Sequence, residues 1–287
     1  MKRVIALGFF DGVHLGHAAL LNKARQEADR LGCTAAALTF ECHPDEVILR
    51  RKTPLLNTLE QRRTLMKEAF GMDEVIILPF DRAMMQMPWQ QFVRSVLCGR
   101  FEAQAVVCGH DFTFGHRGEG DAQKLCDAFG ENCHVIEAVE LDGEVVSSTA
   151  IRICLQQGSV EKANRMLGRN HFLTGTVIHG KHLGRKIGIP TANLLLPEGV
   201  VIPAYGVYAS VVDGRPAVTN IGIRPTLEDG EIPTVESRLL DFSGDLYGKT
   251  IKVELLHYLR PERKFATVEE LKKQILLDSE ETENLLK

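Results

Sequence analysis

The chain has 287 residues, 44% of them hydrophobic and 25% charged, with a formal net charge of −4. That length suits one large domain or two ordinary ones, and the composition supports a buried core rather than disorder. The acidic balance argues against nucleic-acid or membrane partners, and "NLLLPEGVVIPAYGVYASVV", the most apolar stretch, is too interrupted by Pro, Glu and Gly to span a bilayer. All seven cysteines lie in the first 154 residues without a C-x-x-C pair, which predicts structural thiols in a reducing cytoplasm.

"MKRVIALGFF" meets Asp11 and Gly12 too soon to be a signal peptide, and reads as a first strand. "AALLNKARQEADRLG" follows as a helix, with Leu20, Leu21, Ala24, Ala28 and Leu31 on one stripe and Gly32 as its stop. "TAAALTF" is the next strand. Such a β-α-β unit implies a parallel pair with a right-handed crossover. The alternation continues. "LNTLEQRRTLMKEAFG" is helical, "EVIILPF" a strand, "PWQQFVRSVLCGRF" a helix with Pro88 near its first turn, "AQAVVCG" a strand, "DAQKLCDAFG" a helix and "CHVIEAV" a strand. Apolar strands covered on both faces predict a doubly wound, Rossmann-like parallel sheet. From "HFLTGTVIHG" onward, short β runs with Gly and Pro turns take over, including a hairpin at Asp213-Gly214. A helix at "TVEELKKQILLDSEETENLL" closes the chain. This part is predicted to be a small antiparallel barrel with a terminal helix. The expected domains are 1–168 and 169–287. Nothing in the sequence specifies an oligomeric state.

Residues 8–17, "GFFDGVHLGH", place a turn between the first strand and the first helix. The backbone of Gly8, Phe10, Asp11, Gly12 and Gly16 is open to a ligand, and the helix start offers free N–H groups and a positive dipole end. His14 and His17, three apart, share that face and can donate hydrogen bonds to triphosphate oxygens. Neither G-x-G-x-x-G after a strand nor a Walker A motif is present, which argues against a dinucleotide-dependent oxidoreductase and a P-loop ATPase. In "SSTAIR", Ser147 can cap a helix, while Ser148 and Arg152 share a face. Alone this reads as a capped helix with an exposed Arg; beside H-x-G-H it reads as a second phosphate contact. "TFECHP" carries His43, and "CGHDFTFGHRGEGD" carries Asp111, a residue able to hold Mg²⁺ or a ribose hydroxyl in a connection that is otherwise ordinary.

In the second half, "HGKHLGRKIGIPTAN" combines Gly180, Gly184 and Gly188 with Lys181, Arg185 and Lys186, as a phosphate-covering loop would. It leads through Pro190 to Thr191 and Asn193, which point to one side of an extended strand and can coordinate Mg²⁺, or simply begin a polar strand. Glu236 in "TVESRLLDF" is either a base for a hydroxyl attacking a γ-phosphate or a surface cross-strand partner.

Together "GFFDGVHLGH", "HDFTFG", "SSTAIR", "GIPTAN", "YGVY", "NIGIRPT", "VESRLLDF", "DLYG" and "LRPERKF" closely resemble, in order and over almost the whole chain, the bacterial bifunctional riboflavin kinase/FAD synthetase family. H-x-G-H alone is shared by many nucleotidylyltransferases; the PTAN module makes the resemblance specific. The resemblance implies an N-terminal FMN adenylyltransferase and a C-terminal riboflavin kinase, with ATP as co-substrate, Mg²⁺ as cofactor, and riboflavin, FMN and FAD as substrates and products. It implies that His14, His17, Ser148, Thr149 and Arg152 position the triphosphate. Asp111 would occupy the family's Asn/Asp position, Thr191 and Asn193 would hold Mg-ATP, and Glu236 would be the kinase base. Arg260 and Phe265 would lie on the flavin side. The chain departs from the family in having Phe9 where Asn is frequent and Cys42 within the usual E-P-H-P. The competing class is a flavin- or nucleotide-binding regulator without turnover, against which the retention of both His17 and Glu236 speaks.

Overall fold

The computed structural model describes residues 1–179, 189–225 and 231–287, which divide between two compact units, Met1–Ser148 and Thr149–Lys287. The first unit is built on five strands: β1 (Arg3–Leu7), β2 (Thr34–Phe40), β3 (Glu74–Leu78), β4 (Ala103–Gly109) and β5 (Cys133–Ile136). They pair in parallel in the order β3-β2-β1-β4-β5. Alternation along the strands separates two cores. Val4, Ala6, Ala35 and Ala37 meet Leu21, Ala24 and Ala28 of helix α1 (Leu15–Leu31) and Met66 of α2 (Leu59–Glu68). Ile5, Leu7, Val106 and Cys108 meet Phe92 and Leu97 of the helical stretch 89–100 and Leu125 of α3 (Ala122–Phe129). The sheet is therefore covered on both faces, as its apolar strands predict. Its order reverses between β1 and β4, and in open parallel sheets the crevice beyond the carboxyl ends at such a point is where ligands bind.

Local signals set the helix ends. His14 caps α1, whose C-terminus is closed by Gly32 at φ 61°, and α2 opens with a capping box between Thr58 and Gln61. The stretch after Pro88 departs from the α-helix expected there: Phe92–Arg100 winds as a π-helix. Gly99 suits this wider turn, because a Cβ there would stand 3.1 Å from the Arg94 carbonyl oxygen. All seven cysteines are free thiols, and Cys126 Sγ lies 2.9 Å from Cys133 Sγ between α3 and β5.

In the second unit, helices α4 (Ser148–Gln156, starting at the last residue of the first unit) and α5 (Val160–Leu167) precede a closed barrel. Its strands are β6 (His171–Ile178), β7 (Ala192–Leu195), β8 (Gly206–Val212), β9 (Arg215–Pro225), β10 (Glu231–Leu239) and β11 (Thr250–Pro261). They close in the order β6-β7-β10-β9-β8-β11. Asp213 (φ 45°) and Gly214 (φ 83°) form the expected two-residue turn between β8 and β9. Inside the barrel, Ser210 Oγ donates to the Ala217 carbonyl at 2.8 Å and is followed by Thr219 Oγ1 at 2.7 Å and Ser237 Oγ a further 2.8 Å on. Helix α6 (Val268–Leu285) packs on β8 and β9.

The chain passes from one compact unit to the other at Ser148/Thr149, and α4 and α5 are bound to the barrel. The Leu155 carbonyl accepts from Ala204 N, Asn164 Nδ2 donates to the Leu255 carbonyl at 2.8 Å, and Asn164 Oδ1 accepts from His171 N at 2.7 Å.

Candidate active sites

The turn after β1 lies at the switch point of the sheet. Phe10, Gly12 and Val13 have φ of 60°, 77° and 40°. Only Gly adopts such angles without cost, and a β-branched residue there is a strained outlier, of the kind that concentrates at functional sites. The chain thereby reverses within three residues and delivers His14 to the N-cap of α1. Its Nδ1 accepts from His17 N at 3.4 Å, which leaves the proton of a neutral ring on Nε2, the donor that a phosphate oxygen requires. The His17 ring stacks on His14 with centroids 3.7 Å apart and meets the edge of Phe10 at 5.2 Å. Gly16 leaves room for this arrangement, since a Cβ there would stand 3.1 Å from His14 Cε1; at Gly8 a Cβ would come within 3.1 Å of the Phe10 ring.

Ser148, from the second motif, donates to the Asp11 carbonyl at 2.8 Å and so joins the turn. Thr149, exposed, and Arg152, half-buried, follow on α4. The Asp11 carboxylate is placed for structure: it is buried and accepts from the backbone N–H of Leu56 at 2.9 Å and of Asn57 at 3.4 Å, tying the entry of α2 to the turn. Asp111 is exposed just past β4, and Gly109 leaves room for its carboxylate, because a Cβ there would lie 2.9 Å from Oδ1. His43 sits edge-on to Phe9 at 4.8 Å and caps the short Pro44–Ile48 helix. The turn gathers imidazoles, the Ser148 hydroxyl and a helix start, groups able to grip a polyphosphate and stabilise the charge on its departing end.

Arg62 was not among the residues singled out from the sequence. It is fully buried on α2, on the same inward stripe as Met66, where periodicity calls for an apolar side chain. Its Nη1 donates to the Phe9 carbonyl and, at 3.1 Å, to Thr39 Oγ1, while Nη2 donates to the Phe40 carbonyl at 3.1 Å. The guanidinium lies 4.2 Å from the Phe9 ring centre. Burial pulls its pKa down to about 10, against the nearby charge of Asp11, which raises it. An arginine on a buried stripe next to a strained turn is the signal that the sequence held.

In the barrel, Asn193 on β7 pairs with Glu236 on β10, and Glu236 pairs in turn with Asn220 on β9. Their neighbours Ala192, Ser237 and Thr219 point inward, so alternation puts Asn193, Glu236 and Asn220 together on the outer face. Thr191, two residues before Asn193, follows the exposed Pro190. Asn220 Nδ2 donates to Glu262 Oε1 at 3.3 Å, bringing the "LRPERKF" segment to the same cluster, a contact the sequence reading missed. Thr191 and Asn193 are hard, neutral oxygen donors, and Asn193 lies beside the Glu236 carboxylate, a set that suits Mg²⁺ once nucleotide phosphates supply the remaining ligands. The Arg260 guanidinium forms a two-pronged pair with buried Asp278 at 3.0 and 2.7 Å, fastening α6 to the barrel. Phe265 lies under Arg263, 4.7 Å away, and 5.8 Å from Arg260. Gly180, Gly184 and Gly188, with Lys181, Arg185 and Lys186, lie outside the described residues.

Fold and sites define a two-unit transferase of phosphate-bearing groups. Residues 1–150 match a family model described as FAD synthetase, and residues 167–286 one described as riboflavin kinase. A bifunctional riboflavin kinase/FMN adenylyltransferase from Bacillus subtilis (strain 168) is 38% identical over 290 residues, spanning 98% of this chain and 91% of that protein. One from Listeria monocytogenes is 36% identical over 291 residues, spanning 98% and 92%. The chain belongs to the bifunctional riboflavin kinase/FMN adenylyltransferase family. A crystal structure described as a macrolide-efflux protein from Streptococcus pneumoniae shares the fold with a TM-score of 0.91 at 31% identity, covering 99% of this chain and 94% of that one. Among the described residues no helix is long and apolar enough to cross a membrane.

Proposed function

We propose that this chain makes FAD from riboflavin in two ATP-dependent steps, in the cytoplasm, with Mg²⁺ serving the nucleotide. The barrel phosphorylates riboflavin. Thr191 and Asn193 would hold the metal–nucleotide, whose ion would supply positive charge to the phosphates. Glu236 takes the proton of the ribityl 5′-hydroxyl as its oxygen attacks the γ-phosphorus, giving FMN and ADP. The first unit then transfers AMP. An oxygen of the FMN phosphate attacks the α-phosphorus of ATP, the bond to the β-phosphate oxygen breaks, and pyrophosphate leaves. His14 and His17 orient the triphosphate and donate to the leaving group, and Ser148, Thr149, Arg152 and Asp111 assist. The observation that carries this reading is the pairing of Glu236 with Asn193 in a chain whose H-x-G-H turn occupies a sheet switch point.

A product assay tests it. Riboflavin, ATP and MgCl₂ with the full chain yield FMN and then FAD on chromatography. Glu236→Gln lowers FMN formation by about 10²-fold or more, as loss of a general base does. The His14→Ala/His17→Ala double variant still makes FMN but no detectable FAD. Flavin binding without either product would establish the regulator instead.

A further inference from the structure

We propose that Arg62 is a positioning residue for adenylyl transfer: by fixing the Phe9 carbonyl it holds the Phe10–Val13 turn in its left-handed conformation and so aims His14, His17 and the start of α1. The inference rests on the reading of that turn as the triphosphate site.

The Phe9 carbonyl belongs to the peptide plane that ends at the Phe10 nitrogen. Rotation between that plane and the Phe10 Cα is φ of Phe10, which stands at 60°. Two donors hold the carbonyl, Arg62 Nη1 and Thr39 Oγ1, the latter at 2.8 Å. Arg62 also donates to Thr39 Oγ1 itself and to the Phe40 carbonyl, so one planar fork ties the end of β1 to the end of β2. A left-handed Phe and a left-handed Val each cost of order 1–3 kcal/mol and persist only where the surroundings over-determine them. A fully buried guanidinium is a costly way to supply that restraint. Its Nε is buried without a hydrogen-bond partner, and burial pulls its pKa down although the nearby charge of Asp11 raises it. A side chain chosen for packing alone would be apolar, as Met66 is one turn later. What arginine adds is two directed donors at a fixed spacing, aimed at the strand ends from which the turn departs.

Arg62→Met and Arg62→Lys in the full-length chain test this. The single tryptophan, Trp89, lies in the first unit, so its fluorescence melt reports the folded fraction of that unit. Phosphorylation of riboflavin by the same sample fixes the enzyme concentration. Per folded first unit, Arg62→Met is expected to lower kcat for FMN adenylylation about tenfold or more, with KM for FMN within about twofold, because reacting groups misplaced by less than 1 Å already cost this much. Arg62→Lys, which keeps one donor for the Phe9 carbonyl, is expected to recover part of that loss. A kcat within about threefold of the parent for folded Arg62→Met overturns the inference, as does a loss that disappears on correcting for the folded fraction. If Arg62→Met leaves no folded first unit, Arg62→Lys decides: a lower kcat at unchanged KM for FMN supports the role, and the parent kcat overturns it. The two readings fail separately. Adenylyl transfer by the His14→Ala/His17→Ala variant would sink the turn reading itself. Its loss there, with full activity in Arg62→Met, would sink only the role of Arg62.

Discussion

At the scale of single residues, space and propensity oppose one another at Gly16. Alanine in the first turn of α1 gains helix propensity worth about 1 kcal/mol over glycine. Its Cβ would also stand 3.1 Å from Cε1 and 3.2 Å from Nδ1 of His14, so the ring must yield by a few tenths of an ångström. Stability and activity therefore part. Gly16→Ala is expected to melt at or slightly above the parent temperature while FMN adenylylation slows by about tenfold, some 1.4 kcal/mol in the barrier. Steady-state rates with a fluorescence melt on the same protein check this, and an unchanged rate would mean that the His14 ring has slack. The same scale shows where sequence reasoning ran out. His14 and His17 are legible because a turn and a helix start announce what they face. Arg62 hides inside an ordinary helical pattern, and its partners Phe9 and Phe40 are backbone carbonyls that leave no mark in residue type. The Arg260–Asp278 pair is equally silent in the sequence, since Asp278 lies in a helix eighteen residues on.

At the scale of elements, α1 carries a buried carboxylate that its amphipathic pattern does not predict. Glu27 accepts from Lys23, four residues back, at 2.6 Å and from Arg30, three residues on, at 2.7 Å. The Lys23 bond and then the Arg30 bond hold its carboxyl down at about 2, against an ordinary value of 4.5. The folded form thus binds its proton less readily than the unfolded chain. The resulting stabilisation is complete above about pH 4.5 and is lost as pH falls from there towards 2. Glu27→Gln is expected to destabilise the first unit by about 1.5–3 kcal/mol at pH 7, the range for hydrogen bonds to charged groups, and by much less near pH 3. Urea melts of Trp89 fluorescence at both pH values measure it; equal losses would show that the charge is irrelevant. Most elements were legible because strands and helices alternate with clear punctuation. The π-helix at Phe92–Arg100 was not, because its sequence keeps the apolar spacing of an α-helix.

At the scale of the whole molecule, each compact unit has its own buried interior. The segment 149–167 is helical, like much of the first unit. Its contacts are with the barrel: Asn164 bridges the start of β6 to β11, and α4 receives Ala204 N. A fragment 149–287 is therefore expected to unfold cooperatively and to phosphorylate riboflavin. A fragment 169–287, stripped of Asn164 and of buried Leu155 and Leu167, is expected to melt at least about 10 °C lower, since two lost hydrogen bonds and newly exposed apolar surface exceed 2 kcal/mol in a domain of this size. Thermal melts of the two fragments decide where the kinase module begins.

The hydroxyls inside the barrel carry one more consequence. Because Ser210 has given its only proton to the Ala217 carbonyl, Thr219 must donate to Ser210, and Ser237 to Thr219. The three O–H bonds have a single permitted direction, ending on an amide oxygen that passes nothing on. Such a file is no wire. Loss of the Ser237 hydroxyl would cost one of these bonds, and loss of the Ser210 hydroxyl two.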